Sequence, residues 1–285
     1  MNSKLIQTLT GAALLLSVNA AQAAITCNIS SPGFIDGYDN TTLNTNQTSY
    51  SITCSRGDDQ NDPLTTSYSV KVDNGGFANG NANQASNGGA NRIKYDLFTG
   101  STCGQGVLWK SNTTIPNAVG TITMSGTSPK TVTENFWGCI AGGQNPAAGI
   151  YNDSVLMTPT YSAGVINGTP NARTSVKIIT PATCTISAIT GITLAYGNAF
   201  GPGATATTNA PATCSNQLPY TIAVSPTSGV SAGIFYTLSL PASATGTGAV
   251  QNIPITATAP PGQAGTCTTG SCTGAAQPHT LTLTY

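Results

Sequence analysis

Charge is what this sequence has least of. Among its 285 residues, nine are Lys or Arg and nine are Asp or Glu, so charged residues make up 6% of the chain and the formal net charge is zero. Soluble domains carry about 25% charged residues on average. Without an excess of positive charge, the chain lacks the electrostatic means to bind nucleic-acid phosphates or an anionic membrane face. We therefore expect no nucleic-acid partner.

The few charges are also unevenly distributed. Lys177 is the last charged residue, and residues 178–285 contain no Asp, Glu, Lys or Arg. A surface of mixed charges normally keeps a soluble domain dispersed. A long segment without charge is therefore typical of a domain that is built into an assembly.

The N-terminus has the pattern of a secretory signal peptide. Lys4 precedes the apolar stretch 11–18, and Ala21-Gln22-Ala23 follows as an A-x-A cleavage site. The apolar stretch is too short to span a bilayer. We expect residues 1–23 to be removed and the mature chain to be exported.

Eight cysteines follow this cleavage site, and they divide the chain into two units. Cys27-Asn-Ile-Ser recurs as Cys184-Thr-Ile-Ser. An even number of cysteines in an exported protein indicates disulfides, and zinc is disfavoured because the only histidine is not near a Cys-x-x-Cys motif. If pairs form only within a unit, nine connectivities remain. Parallel spacing favours the set Cys27–Cys54, Cys103–Cys139, Cys184–Cys214 and Cys267–Cys272.

Candidate catalytic groups are scarce. His279 is the only histidine, and no carboxylate follows Lys177 that could orient it as a base. No motif singles out a pair of acidic residues of the glycosidase kind. Residues 58–62 are rich in oxygen ligands but lack the spacing of an EF-hand, so a solvated turn is the better interpretation. We expect no enzyme activity, no metal and no cofactor.

Alternation of apolar and polar residues predicts strands nearly throughout. Glycine, Asn and Pro clusters separate them, notably at 74–91 and 202–211, and no stretch has a sustained helical period. Short strands separated by such turn clusters are typical of β-sandwiches. We predict an all-β protein with two tandem sandwiches, an N-terminal domain at 24–162, a linker at 163–176 and a C-terminal domain at 177–285. The clearest strand patterns lie at 67–72, 119–124, 220–224, 235–240 and 279–285.

The first unit also carries an ordered set of motifs that resembles a known family. They are Asn91-Arg-Ile-Lys-Tyr-Asp-Leu-Phe98, Val107-Leu-Trp109, Gly143-Gln144 and Gly149-Ile-Tyr-Asn-Asp-Ser-Val155, ending at Tyr161. In this order they resemble the spore coat protein U domain over residues 27–161. The second unit resembles a divergent copy, which keeps Cys184, Cys214 and the closing Thr-Leu-Thr-Tyr285 but lacks the Gly-x-Tyr-x-Asp motif.

Domains of this family build Csu-type pili, the archaic branch of the chaperone–usher system. The resemblance implies immunoglobulin-like, pilin-type sandwiches, the second of which lacks its last strand and accepts one from a neighbour. The implied partners are a periplasmic pilus chaperone, the outer-membrane usher and an adjacent pilin subunit that donates an N-terminal strand. In this chain, Leu281, Leu283 and Tyr285 lie on one face of the last predicted strand, which we expect to be the acceptor edge.

The expected place in the fibre follows from the short segment before Cys27. A donated strand needs about ten extended residues, and only residues 24–26 separate the cleavage site from Cys27. We therefore expect a tip adhesin at the cell surface that attaches to abiotic or host surfaces and supports biofilm formation. We also expect residues 174–179 to cover the open edge of the first domain. The alternatives are a non-tip pilus subunit, a sugar-binding lectin-type adhesin and a secreted structural coat protein.

Apolar residues in three predicted loops are the candidates for surface contact. They do not follow strand alternation, and exposed apolar loop tips often mark binding sites. Ordinary turn residues are an equally good interpretation of each loop taken singly. The candidates are Phe77 in the first loop, Ile115, Pro116, Ala118 and Val119 in the second, and Pro146, Ala147 and Ala148 in the third.

Overall fold

The structure is a computed structural model, and it describes residues 24–57, 62–111, 118–162, 165–167, 171–267 and 273–285. Regular structure in these residues is entirely β, as predicted. The described part of the chain contains no helix with the length and apolar character that a membrane crossing requires. The first twelve strands are β1 (Ala24–Ser30), β2 (Phe34–Gly37), β3 (Asn44–Arg56), β4 (Thr65–Val72), β5 (Asn83–Ser86), β6 (Arg92–Thr99), β7 (Val107–Leu108), β8 (Ala118–Thr123), β9 (Lys130–Ile140), β10 (Gly149–Tyr161), β11 (Val165–Asn167) and β12 (Ala172–Thr180). The remaining strands are β13 (Cys184–Ile186), β14 (Ala204–Cys214), β15 (Pro219–Ser225), β16 (Ser228–Ser231), β17 (Ile234–Ser239), β18 (Ser243–Thr245), β19 (Val250–Ala259) and β20 (Thr280–Thr284).

Strands β1 to β12 form one hydrogen-bonded sheet that folds back on itself as the first sandwich. Its order is β11-β1-β3-β9-β6-β5-β10-β12-β2, with β4 joined to β10 and β8 joined to β4. Strand β6 connects the two layers, because Arg92–Tyr95 pair with β5 whereas Asp96–Thr99 pair with β9. Each half of this strand therefore belongs to a different layer.

An aromatic cluster fills the core of the first sandwich. The ring of Trp109 lies 5.5 Å from that of Phe136 and 5.6 Å from that of Tyr50, measured between centroids. Its indole Nε1 donates a hydrogen bond to the Val70 carbonyl at 3.0 Å, so the one polar atom of the ring is satisfied. Burial of each such side chain contributes about 1.5–3 kcal/mol. All three aromatic residues belong to the core of the first sandwich.

Strands β13 to β20 form the second sandwich from two separate sheets. Their orders are β13-β14-β19-β17-β16 and β18-β15-β20. Its buried core is small and includes Ala210, Tyr220, Ile222 and Ile253. The inward-facing residues of β17 and β20 remain only half-buried. The second sandwich is therefore less completely covered than the first.

The boundary between the two sandwiches lies after β12, and therefore after the linker that we predicted at 163–176. It pairs antiparallel with β10 along residues 172–180 and parallel with β2, so it belongs to the first sandwich. Glycine and proline are common in turns between strands as well as in linkers. Here they precede β12, which lies beside β10. Residues 174–179 thus extend the first domain, as expected, and residues 181–183 alone separate β12 from β13.

Candidate strand-acceptor site

Strand β20 lies at an edge of its sheet. It pairs antiparallel with β15, from Thr284 opposite Thr221 to Thr280 opposite Ser225, and with no other strand of the described residues. An edge strand presents backbone N–H and C=O groups on its open side, and these can template a further strand.

The side chains of β20 alternate in burial. Leu281 and Leu283 are half-buried and pack against the core of the second sandwich, whereas the threonines between them are exposed. In the first sandwich, inward-facing residues such as Val70 and Ile122 are completely buried. The inward row of β20 is therefore only partly covered by this chain's own residues.

A second partly covered row lies in residues 187–203, which form no strand. Within this segment Ile192, Leu194 and Tyr196 are half-buried, and the residues between them are exposed. Ile192 packs against the same core cluster as Leu281 and Leu283. A burial period of two is typical of strand-like chain, so this segment is a second edge beside the same core.

His279 fixes the beginning of β20. Its Nδ1 lies 2.7 Å from the carbonyl oxygen of Pro226, which can only accept, so this nitrogen donates. In the neutral ring, Nε2 accepts the hydroxyl proton of Tyr236 at 2.7 Å. Burial raises the pKa of Tyr236, which favours the donating hydroxyl. His279 therefore ties β20 to β17 in the opposite layer.

Tyr285 marks the other end of β20 and is 59% exposed. With Thr284, Tyr220 and Ala244 it lines a shallow cleft of about 460 Å³ between β15, β18 and β20. Of the three residues predicted for the acceptor edge, Leu281 and Leu283 thus lie in the inward row and Tyr285 lies at its end.

Three of the predicted disulfides are present: Cys27–Cys54, Cys103–Cys139 and Cys184–Cys214. Cys267 is also disulfide-bonded, but its predicted partner Cys272 lies outside the described residues. Cys27 lies directly opposite Cys54, and Cys184 lies directly opposite Cys214. The sequence repeat therefore reflects a shared device, which fastens the first strand of each sandwich to its neighbour.

The structure places the predicted surface-contact residues in different environments. Val119 is 62% exposed and Phe77 is 41% exposed. Ala118 was expected to be exposed and is buried, because it faces the core in the β4–β8 ladder. Ile115 and Pro116 lie outside the described residues.

The third predicted loop is not a free surface. Pro146 and Ala147 are buried and Ala148 is half-buried, so the expectation of an exposed loop is wrong there. Ala147 forms a backbone bridge with Asn216 of the second sandwich, and its carbonyl accepts the Tyr151 hydroxyl at 2.9 Å. The loop is buried because it lies where the two sandwiches meet.

Uncharged amides hold this junction together. Asn145 donates from Nδ2 to the Thr247 carbonyl at 2.9 Å, and its backbone carbonyl accepts from Asn216 Nδ2 at 3.0 Å. The side-chain amides of Asn91 and Gln217 pair reciprocally at 3.1 and 3.2 Å. These contacts could not be predicted, because Asn and Gln in loops have no pattern that distinguishes a contact from a turn.

Phe77 lies at the same end of the first sandwich as this junction. The guanidinium of Arg92 stacks over its ring, with Cζ 5.0 Å from the centroid. Arg92 also donates to the carbonyl of Gly89 and to the Ser86 hydroxyl. Its neighbour Asn91 bonds to the second sandwich. Phe77 is therefore a partner of a structural arginine near the junction.

The opposite end of the first sandwich presents other apolar residues. Strand β10 begins beside the junction at Gly149 and ends at Tyr161, roughly 40 Å away at the rise of an extended chain. Strands β4 and β8 pair next to this far end. Leu64, just before β4, is 55% exposed. A single Leu before a strand has no sequence pattern, so sequence analysis missed it.

A carboxylate of the Gly-x-Tyr-x-Asp motif organises the loop after β4. Asp153 accepts hydrogen bonds from the Tyr95 hydroxyl at 2.6 Å and from the N–H groups of Gly76 and Ser154 at 2.8 Å each. Burial, and then the charge of Asp153, raise the pKa of Tyr95 far above its ordinary value. Asp153 therefore has a structural role. Among the described residues no group of three His, Cys, Asp or Glu is arranged to hold a metal ion.

Comparison with known proteins places the chain in a family. A sequence profile of the Spore Coat Protein U domain matches residues 12–158, more than half of the chain. The chain belongs to the Spore Coat Protein U domain family. The match covers most of the first sandwich of this U-domain protein. A search of curated proteins finds no match.

Solved structures similar to this U-domain protein share little sequence with it. One is the CsuC–CsuE chaperone–tip adhesion subunit pre-assembly complex from archaic chaperone–usher Csu pili of Acinetobacter baumannii, at 13% identity and a TM-score of 0.43, covering 91% of this chain and 100% of that chain. Another is the CupB6 tip adhesin from Pseudomonas aeruginosa, at 11% identity and a TM-score of 0.45, covering 92% of this chain and 94% of that chain.

Proposed function

We propose that this protein is an exported pilus tip adhesin. Its second sandwich accepts a strand from an adjacent pilin subunit, and its first sandwich contacts an abiotic or host surface. A periplasmic chaperone covers the open edge before assembly at the outer-membrane usher. The observation that carries the proposal is the open edge of β20 with its partly covered row of Leu281 and Leu283.

The energy available at this edge supports strand addition. A donated strand covers the remaining surface of half-buried side chains on both edges, including Ile192, Leu194, Leu281 and Leu283. Completing the burial of each contributes about 1 kcal/mol, and each backbone hydrogen bond adds about 0.5–1.5 kcal/mol. With about one such bond per residue, the gain for a strand of five or six residues is then about 6–13 kcal/mol before ordering costs.

The absence of charge after Lys177 supports assembly of the same domain. Burial of an unpaired charge is expensive, and a buried ion pair often gains nothing over apolar contact. The second sandwich carries neither. Neighbouring subunits can therefore enclose its surface without removing water from any Asp, Glu, Lys or Arg side chain.

The adhesive contact is proposed for the end of the first sandwich that faces away from the junction. Of the apolar residues predicted for surface contact, Val119 is exposed in this half, and Leu64, which directly precedes β4 in the same half, is exposed as well. Apolar side chains on such an end can bury surface against a nonpolar material, and many pili on one cell multiply weak contacts. Biofilm formation follows from attachment of this kind.

The test compares two substitutions in β20. Leu283→Asn places a polar amide in the inward row, whereas the control Thr282→Asn changes the exposed side of the same strand. Each variant is produced with the chaperone of its own pilus system. We expect Leu283→Asn to lose chaperone co-purification and incorporation into pili, and Thr282→Asn to keep both. Equal behaviour of the two variants would contradict the proposal.

A further inference from the structure

The second sandwich has an end that strand acceptance does not use directly. Strand β14 ends at Cys214, next to the junction with the first sandwich, and begins at Ala204 about 35 Å away. The turn at 197–203, the β16–β17 turn and the loop at 260–266 meet at this far end. We call it the base.

The base presents the most exposed large hydrophobic side chain among the described residues. Phe200 is 74% exposed, and its φ of 56° lies in the left-handed region, which costs about 1 kcal/mol or more for a bulky residue. Its N–H donates to the Gln263 carbonyl at 2.9 Å, and the Gly262 N–H donates to the Gly201 carbonyl at 3.0 Å. These bonds fix the backbone of the turn that carries the exposed ring.

Gln263 connects this turn to a second apolar pair. Its side chain donates to the Phe235 carbonyl at 2.9 Å and accepts the Phe235 N–H at 2.7 Å. Phe235 is 43% exposed, and Val230, directly opposite in the β16–β17 ladder, is 54% exposed. Side chains at opposite positions have Cβ atoms about 5 Å apart. Phe200, Val230 and Phe235 together are named the base patch.

The base patch lies at the end of the second sandwich where β20 begins. Tyr236 follows Phe235 and bonds to His279, which immediately precedes β20. Strand β20 runs from His279 toward Tyr285. The Tyr285 end of the strand lies near the junction, because Thr284 pairs with Thr221, which is close to the junction residue Gln217. The first sandwich lies beside this end, which we call the upper end of the second sandwich. A subunit whose strand pairs with β20 therefore connects to its own folded body at the base.

We propose that the base patch is the docking surface for the folded body of the pilin that donates its strand to β20. This inference rests on the proposed function and adds a second contact, separate from the strand itself. Exposed aromatic side chains on a hydrogen-bonded backbone are typical anchors of protein interfaces. Since the base patch is apolar and residues 178–285 carry no charged side chain, we expect the matching pilin surface to be apolar as well.

Cross-linking within assembled pili tests the contact. A photoreactive benzoylphenylalanine replaces Phe200 or, as control, Val250, which is 65% exposed but lies at the upper end of β19. We expect position 200 to cross-link to a pilin peptide outside its N-terminal donor segment, and position 250 not to do so. Cross-links from position 200 to the chaperone alone, to the donor segment alone or to no protein would overturn the base patch.

A binding comparison separates this inference from the proposed function. The full mature chain with Phe200→Ser and Phe235→Ser is compared with Val250→Ser for binding of a synthetic pilin donor-segment peptide and of intact pilin. We expect unchanged peptide binding and about tenfold faster dissociation of intact pilin from the double variant. Lack of peptide binding to the wild-type chain overturns the proposed function. Normal peptide binding with unchanged pilin dissociation overturns the base patch alone.

Discussion

The hydrogen bonds of Asp153 allow a quantitative prediction for the first sandwich. This carboxylate is 6% exposed and accepts from the hydroxyl of Tyr95 and the N–H groups of Gly76 and Ser154. Asp153→Ala leaves all three donors without this acceptor. A hydrogen bond to a charged group contributes about 1.5–3 kcal/mol, and losses within one network are not additive. We expect a loss of about 3–5 kcal/mol in the free energy of unfolding.

A graded series identifies the cause of this loss. Asp153→Asn keeps one acceptor oxygen for the two backbone donors, so we expect a smaller loss of about 1–2 kcal/mol. Tyr95→Phe removes only the hydroxyl bond and is expected to fall in the same range. The control Asn152→Ala changes the adjacent, exposed residue and is expected to stay within about 0.5 kcal/mol of the wild type.

Urea unfolding followed by tryptophan fluorescence measures these values for the first sandwich alone. The chain has two tryptophans, Trp109 and Trp137, and both lie in that sandwich. At a slope of about 2 kcal/mol per molar urea, Asp153→Ala lowers the midpoint by about 2 M. A midpoint within about 0.5 M of the wild type would refute the assigned role of Asp153.

Three further predictions concern the junction, the buried tyrosines and the adhesive end. Gly248→Val places a side chain against Asn145 Oδ1, so we expect the angle between the sandwiches to change in small-angle scattering while both unfolding transitions persist. Because burial raises the pKa of Tyr95 above its ordinary value near 10, its stabilising effect is complete below about pH 10 and decreases above it; urea midpoints at pH 8 and pH 10.5 should show this loss. Val119→Asp should reduce attachment to plastic at unchanged pilus number, whereas Phe77→Asp, near the junction, should not; equal effects would contradict the assignment of the adhesive end.

The strands could be predicted because their alternation is local, and the disulfides because the cysteines have parallel spacing in the two units. Alternation at 67–72 and 220–224 requires only that one face of a strand is buried, and those residues lie in β4 and β15. The paired Cys-x-Ile-Ser segments could be recognised because each sandwich fastens its first strand in the same way.

Features that depend on long-range packing could not be predicted. Pro146 and Ala147 resemble an exposed loop in the sequence, yet contact with the second sandwich buries this segment. Phe200 has no alternation or motif around it, and the turn that carries it is held by backbone bonds from residues 200 and 201 to residues 263 and 262. The predicted boundary precedes β12 because turn residues do not show which sandwich the following strand joins.

Hydrogen exchange at β20 tests the central claim, that this strand is completed by a strand from another subunit. In the uncomplexed mature chain, the amides of residues 280–284 that face away from β15 should exchange rapidly. With a synthetic pilin donor-segment peptide bound, they should slow by at least about 100-fold, while amides of β4 stay unchanged. Unchanged exchange in β20, or protection at another open edge such as β16 or β2 instead, would contradict the account.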